Sequence, residues 1–177
     1  MGLSKKEFRE LAGDTFESSS SNPEFWLNQS LMFNSAANVL YKNHKTLTMI
    51  PFLFNAAVSI ELAIKAVIVA KKSKPRKTHN LIKLFEDASV EITEEQRDTL
   101  ELLTAIIVWL GKYPVPNNSA EWDNYKDQIL EKHLVREREG NTFRTLTNKD
   151  TFPTPENYKL IWSKLMNKFA ESIENDL

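Results

Sequence analysis

Along most of the chain, apolar residues recur three and four positions apart, the period of a helix buried on one side rather than the alternation of a strand. From Pro23 to about Lys42 this period runs through Trp26, Leu27, Leu31, Phe33, Ala37 and Leu40, and the proline marks the start. Beyond Thr48 the pattern changes. To about Lys72 the chain is apolar nearly all round, which predicts the central helix of a core. Thr48 is placed to cap that helix, and Pro51 falls in its first turn, where no intrahelical N–H bond is lost. Thr78 is placed to cap a short helix over 79–88 that buries Leu81, Ile82, Leu84 and Phe85. Thr93 followed by Glu94, Glu95 and Gln96 is a capping box with acid in the first turn. Its helix carries Leu100, Leu103, Ile107 and Leu110 and stops at Gly111.

The loop KYPVPNNSA leads to a charged helix over 121–138, with Trp122, Tyr125, Ile129 and Leu130 inward. Pro155 opens the last helix, through Tyr158, Ile161, Trp162, Leu165, Phe169 and Ile173. Residues 4–13 predict a short amphipathic helix with Phe8 and Leu11 on one side, and Ser18 to Asn22 a polar hinge. Segment 140–153 reads as polar and irregular, with no alternating run and no Asn-Gly or Asp-Gly turn. The expectation is an all-α fold, an up-and-down helical bundle of about five to seven helices. It forms a single domain over 1–177, in which 1–20 is a short helix with its hinge and 140–154 is a loop.

Composition narrows the chemistry more than the fold. The chain has 177 residues, 41% of them apolar, enough for a real core. With 23 Lys plus Arg against 24 Asp plus Glu, the formal charge is -1, which disfavours binding nucleic acid through overall basicity. The chain lacks cysteine, so it has no disulfide, thiolate metal site or cysteine nucleophile. Its 4 glycines form no phosphate-cradling motif. His44, His79 and His133 show no metal-ligand spacing, so no metal and no cofactor are expected. The first residues turn polar at once, and Lys6 breaks the myristoylation pattern after Gly2. Pro51, Asn55, Ser59, Glu61 and Lys65 interrupt the most apolar stretch, which argues against a lipid-exposed span. A cytoplasmic protein with no membrane partner is the expectation.

Those same polar residues are the first informative feature. At 100° per residue, Asn55 and Ser59 lie about 40° apart on one face, and Glu61 and Lys65 about 40° apart on another. Two readings are open. Either Glu61 and Lys65 form an ion pair at the rim while Asn55 and Ser59 bond to nearby backbone, or the four line a polar pocket in which a buried charge has a partner.

The run from Asn55 to Val67 (NAAVSIELAIKAV) carries Glu61 and Lys65 in an E-L-x-x-K arrangement. Lys77-Thr78-His79-Asn80-Leu81 follows, with Leu84 three residues further on, and then Gly111-Lys112-Tyr113-Pro114. In order and spacing these segments resemble the second long helix, the K-x-H-D/N-L-x-x-L segment and the R-Y-P tripeptide of the HEPN domain (higher eukaryotes and prokaryotes nucleotide-binding). Lys112 stands where the family has Arg. The resemblance covers about residues 50 to 116. It implies an all-α bundle, a homodimer, and an association with nucleotidyltransferases, toxin–antitoxin pairs, abortive infection and RNA cleavage. It also implies that Glu61, Lys65, His79, Lys112 and Tyr113 line or support a surface for a nucleotide, RNA or an antitoxin or nucleotidyltransferase partner.

Ribonuclease members of the family carry R-x4-6-H, and none of Arg9, Arg76, Arg97, Arg136, Arg138 or Arg144 is followed by a histidine at that spacing. Metal-independent RNA cleavage needs a group that deprotonates the 2′-OH and a cation on the phosphorane. The nearest substitute is Lys126 with His133, seven residues apart on one face of the predicted helix; the alternative is a solvated charged face. His79, at the start of a helix, reads as a cap or a ligand group. Lys71, Lys72, Lys74, Arg76 and Lys77 form a basic loop, read as solvated or as a phosphate contact. The acidic run from Glu86 to Asp98 is placed to balance it within the molecule or across a dimer. The favoured reading is therefore a HEPN-like binding or regulatory module. The alternative is a metal-independent endoribonuclease with a divergent His/Lys site at His133 or His79.

Overall fold

The computed structural model describes residues 3–42 and 46–174, and His44 lies outside them. Helices account for nearly all of the regular structure. They are α1 (Lys5–Leu11), α2 (Phe16–Ser21), α3 (Pro23–Lys42), α4 (Met49–Ala70), α5 (Leu81–Asp87), α6 (Glu94–Ala105), α7 (Ser119–Lys132) and α8 (Pro155–Glu174). One hairpin, β1 (Leu134–Glu139) and β2 (Thr142–Thr147), interrupts them.

The core is built around α4, as its all-round apolarity requires. α3, α5, α6 and α8 pack against it. Phe52, Leu53, Ile60, Ile64 and Val67 of α4 meet Leu81 and Phe85 of α5, Leu100 and Leu103 of α6, and Tyr158, Ile161 and Leu165 of α8 in one buried cluster. By length and composition α4 could cross a membrane, but 78% of its most apolar window is buried inside the fold. Its apolar surface is therefore used by the protein itself.

Several helix ends follow from single residues. Thr93 and Gln96 form the expected reciprocal capping box. Asn80, rather than Thr78, caps α5, accepting from the Lys83 N–H, while the Thr78 hydroxyl accepts from the Asn80 N–H. A single 3-10 turn, Thr46–Thr48, leads into α4, so the backbone carries the chain into that helix. Ser18 to Ser21 is not a hinge. Thr15 and Ser18 form a capping box that starts α2, and Ser20 and Ser21 bond back to the Glu17 carbonyl.

The largest departure from the sequence reading lies between Lys132 and Pro155. α7 ends at Lys132, and the expected helix over 133–138 is instead β1, paired antiparallel to β2 from Leu134↔Thr147 to Glu139↔Thr142. Gly140 turns the chain at φ 62, which a residue with a Cβ adopts only under strain. Every residue of the hairpin except Leu134 and Leu146 is exposed, so the strands carry no buried stripe to announce them. Smaller differences share one cause: the outer surface tolerates apolar residues. Phe8, Leu11, Leu31 and Leu130, expected inward, are exposed.

Helix α6 does not run straight to Gly111. A π turn, Ile106–Leu110, widens its last stretch, closed by the Gly111 N–H on the Ile106 carbonyl at 2.9 Å. Gly111 is required here by close approach, because a Cβ would clash with the Phe54 ring of α4.

Candidate functional site

Glu61 is the centre of the site. It sits in the middle of α4, 6% exposed, in the favourable order one turn before Lys65, which is 8% exposed. The Lys65 ammonium donates to Glu61 Oε1 at 2.6 Å. The pair therefore lies in the interior, not at the rim, and a buried ion pair must have its remaining acceptors satisfied. The satisfying group comes from outside the helix: His79 Nδ1 stands 2.9 Å from Glu61 Oε2.

Local sequence explains how a residue 18 positions away reaches Glu61. α4 ends at Ala70, and Lys72 takes the left-handed conformation at φ 57. The Lys72 and Ser73 N–H groups bond back to the Val69 and Ile68 carbonyls, which reverses the chain. Residues 73–79 then run back beside α4 for the ~13 Å that separates Ala70 from Glu61 along the helix. Arg76 anchors the return on Asp87 of α5 at 2.8 Å, and Lys71 donates to the Ala88 carbonyl at 2.5 Å. The expected balance between the basic loop and the acids after it is thus found within one chain, at Arg76 and Asp87.

This arrangement determines the chemistry of His79. An ionised carboxylate only accepts, so Nδ1 carries the proton and donates it to Glu61. Nε2 is left on the far side of a ring whose side chain is 60% exposed. A buried carboxylate that fixes the tautomer and orientation of an exposed imidazole is the arrangement used to present a base, a hydrogen-bond acceptor or a metal ligand. Among the described residues no group of three His, Asp or Glu side chains could hold a metal ion.

The remaining predicted site residues do not join this centre. Lys112 and Tyr113 follow Gly111, which packs on Phe54. Phe54 and Glu61 lie on nearly the same stripe of α4 but about 10 Å apart along it. No hydrogen bond or ion pair connects Lys112 or Tyr113 to Glu61, Lys65 or His79 among the described residues. Lys74 and Lys77 are exposed beside His79 in sequence, whereas Arg76 is neutralised by Asp87. Lys72 shapes the helix end through its backbone. An open groove of about 550 Å³ starts at Asn80, next to His79, and runs over Trp109, Tyr125 and Arg97 between α6 and α7.

Lys126 and His133 do not share a solvated face. The Lys126 ammonium lies 4.5 Å from the centre of the Trp122 ring. His133 caps the C-terminus of α7 and is 2% exposed, with its ring edge-on to Phe152 at 6.3 Å. Burial pushes its pKa down, and the Lys132 ammonium works in the same direction; Asp98, Glu101 and a hydrogen bond to the Thr151 backbone oppose them. Its Nδ1 has no hydrogen-bond partner among the described residues. Lys132 itself is clamped by Asp98 at 2.8 Å and Glu101 at 2.6 Å, which raise its pKa.

Sequence reasoning missed a second buried polar group. The Tyr158 hydroxyl donates to Asn34 Oδ1 at 2.6 Å and shares a hydrogen bond with Ser59 at 2.8 Å. Ser30 donates to the Ser59 carbonyl at 2.5 Å. Burial pushes the Tyr158 pKa up to about 12, against the opposing Ser59 hydrogen bond. Ser30 and Asn34, one turn apart on α3, were the available signal. The network joins α3, α4 and α8, with Ser30, Ser59 and Tyr158 buried and Asn34 half-buried. Asn55 bonds back to the Pro51 carbonyl at 2.7 Å, as expected for a polar residue satisfied by its own helix.

A family model described as "HEPN domain" matches residues 23–135. No curated protein and no solved structure matches the chain.

Proposed function

The chain belongs to the HEPN domain family, whose members are nucleotide-binding or ribonuclease-type modules, and from that membership we propose a nucleotide- or RNA-binding module centred on His79. The observation that carries this reading is the Lys65–Glu61–His79 chain of hydrogen bonds, which holds an exposed imidazole in one tautomer with Nε2 outward. Lys74 and Lys77 supply positive charge beside it for a phosphate, and the groove from Asn80 to Tyr125 offers room for the rest of a ligand. In this reading the protein works in the cytoplasm as part of a bacterial defence or toxin–antitoxin system, with an antitoxin or nucleotidyltransferase as its protein partner. It acts as a homodimer. Phe25, Met32 and Val39, exposed seven residues apart on α3, support a second copy as their cover.

The test is titration of the purified chain with nucleotides and with short RNA, followed by NMR of the histidine rings. Binding that shifts the His79 resonances and weakens at least tenfold in His79→Ala supports the proposal. Binding that leaves His79 unmoved defeats it.

One observation favours a second reading, a metal-independent endoribonuclease. A carboxylate-oriented imidazole is suited to take the proton of a 2′-OH. RNA incubated with the protein and EDTA discriminates. Cleavage lost in His79→Ala and kept in His133→Asn would establish the enzyme, and no cleavage leaves the binding module.

A further inference from the structure

The hairpin carries Arg136, Arg138 and Arg144, three of the chain's six arginines, and they differ from Arg76 and Arg97 on the helical body. Arg76 is neutralised by Asp87, and Arg97 lies 3.9 Å from Glu94. None of the three hairpin arginines pairs with a carboxylate among the described residues. Strand alternation and register then sort the hairpin into two faces. Val135 pairs with Leu146 and Glu137 with Arg144 on the side that lines an open groove of about 870 Å³ with Phe52 and Phe152. The opposite face carries Arg136 opposite Thr145 and Arg138 opposite Phe143. Both carboxylates of β1, Glu137 and Glu139, belong to the groove side. The outer face therefore holds two cations, an aromatic ring and no acid.

That ring is 71% exposed, and cross-strand pairs sit about 5 Å apart, so Phe143 and Arg138 are neighbours. Arg138 Nε donates to the Gly140 carbonyl at 3.2 Å, which tethers the guanidinium to the turn and leaves its outer nitrogens available. We propose that the outer face of the hairpin binds single-stranded RNA, with Arg136 and Arg138 on phosphates and Phe143 stacked on a base. The proposal deepens the RNA-binding reading above and rests on it. A chain of net charge -1 attracts a polyanion only through a local segregation of charge such as this one. A flat exposed ring beside a guanidinium group selects unstacked bases, which a single strand offers and a duplex does not. Most of the hairpin lies beyond residue 135, where the family match ends.

Fluorescence anisotropy tests this with a labelled 12-nucleotide oligouridine, a duplex of equal length and a polyglutamate peptide. The wild type is expected to prefer the single strand. Arg136→Glu with Arg138→Glu weakens binding at least tenfold, and Arg136→Lys with Arg138→Lys restores most of it. Phe143→Ala costs about tenfold on the single strand and little on the duplex. Arg144→Ala, on the other face, stays within about twofold. Arg136→Ala with Arg138→Ala lowers the slope of log affinity against log salt by about 1.4. Circular dichroism melts of these exposed-site variants stay at the wild-type temperature. Wild-type binding in both Arg136→Glu/Arg138→Glu and Phe143→Ala overturns the proposal, as does a preference for the duplex or no binding at all. If polyglutamate binds as tightly as RNA and is lost with it, the face is a dock for acidic protein and the proposal falls. Loss in His79→Ala with hairpin variants intact removes this site and keeps the one at His79; the converse removes the site at His79 alone.

Discussion

The two described histidines occupy opposite situations. His79 is mostly exposed, yet its Nδ1 is held by a buried carboxylate. His133 is fully enclosed, yet its Nδ1 meets nothing. One ring has its inner nitrogen fixed and its outer nitrogen open to solvent, so its orientation is set while its chemistry stays accessible. The other has been desolvated without a full set of partners, and its neutral form is what the fold tolerates. A histidine's usefulness is decided by which of its two nitrogens the protein satisfies.

The strongest way to break this contrast is to remove the carboxylate. Glu61→Ala leaves the Lys65 ammonium buried and alone and releases His79. The expected loss is about 3–5 kcal/mol of stability, read by chemical denaturation. Glu61→Leu with Lys65→Met should recover most of it, because a buried pair replaced by apolar groups of similar volume is often neutral. A mild phenotype for Glu61→Ala alone would show that the pair is not buried as described. Next comes His133→Ala, which opens a cavity against Phe152 and should cost about 2–3 kcal/mol.

The pH dependence sharpens the contrast further. His133 has a folded pKa below its unfolded value near 6.5, so the unfolded chain binds more protons. Its contribution is fully present above about pH 6.5 and is lost as pH falls from there toward the folded pKa. Melting temperature should fall across that window, and His133→Asn should flatten the fall. A wild-type melting temperature that does not change from pH 7 to 5 would contradict the enclosure of His133.

His79→Ala should cost about 1–3 kcal/mol, not through the exposed ring itself but because Glu61 Oε2 is left in the interior without its partner. The finest discrimination is spectroscopic. Nitrogen-15 NMR should find His79 with its proton on Nδ1. His133, enclosed and with no partner at Nδ1 among the described residues, should show a neutral ring that titrates below the usual imidazole range.

The helical period and its punctuation located the starts of α3 and α8 at Pro23 and Pro155 and the end of α3 at about Lys42, and they made α4 the centre of the core. The hairpin was not legible for a physical reason. Leu134 to Glu139 is charged and solvated on both faces, so nothing alternates, and its turn is Gly-Asn rather than Asn-Gly. The unusual polar content of α4 was plain in the chain, and with it the choice between rim pair and buried pair. That choice could not be made from Glu61 and Lys65 alone, because it depended on where the segment after Ala70 returned.

By itself, then, the sequence determined the long helices α3, α4 and α8, the central position of α4, the capping box at Thr93 and the presence of two charges on the most apolar element. These depend on neighbours three or four residues away, which the chain displays directly. Tertiary structure alone decided that His79 meets Glu61 from 18 residues away, that His133 is enclosed beside Phe152, and that Gly111, just before Lys112 and Tyr113, packs on Phe54. Burial and partnership of a charged group are properties of packing between distant segments, and local periodicity carries no record of them.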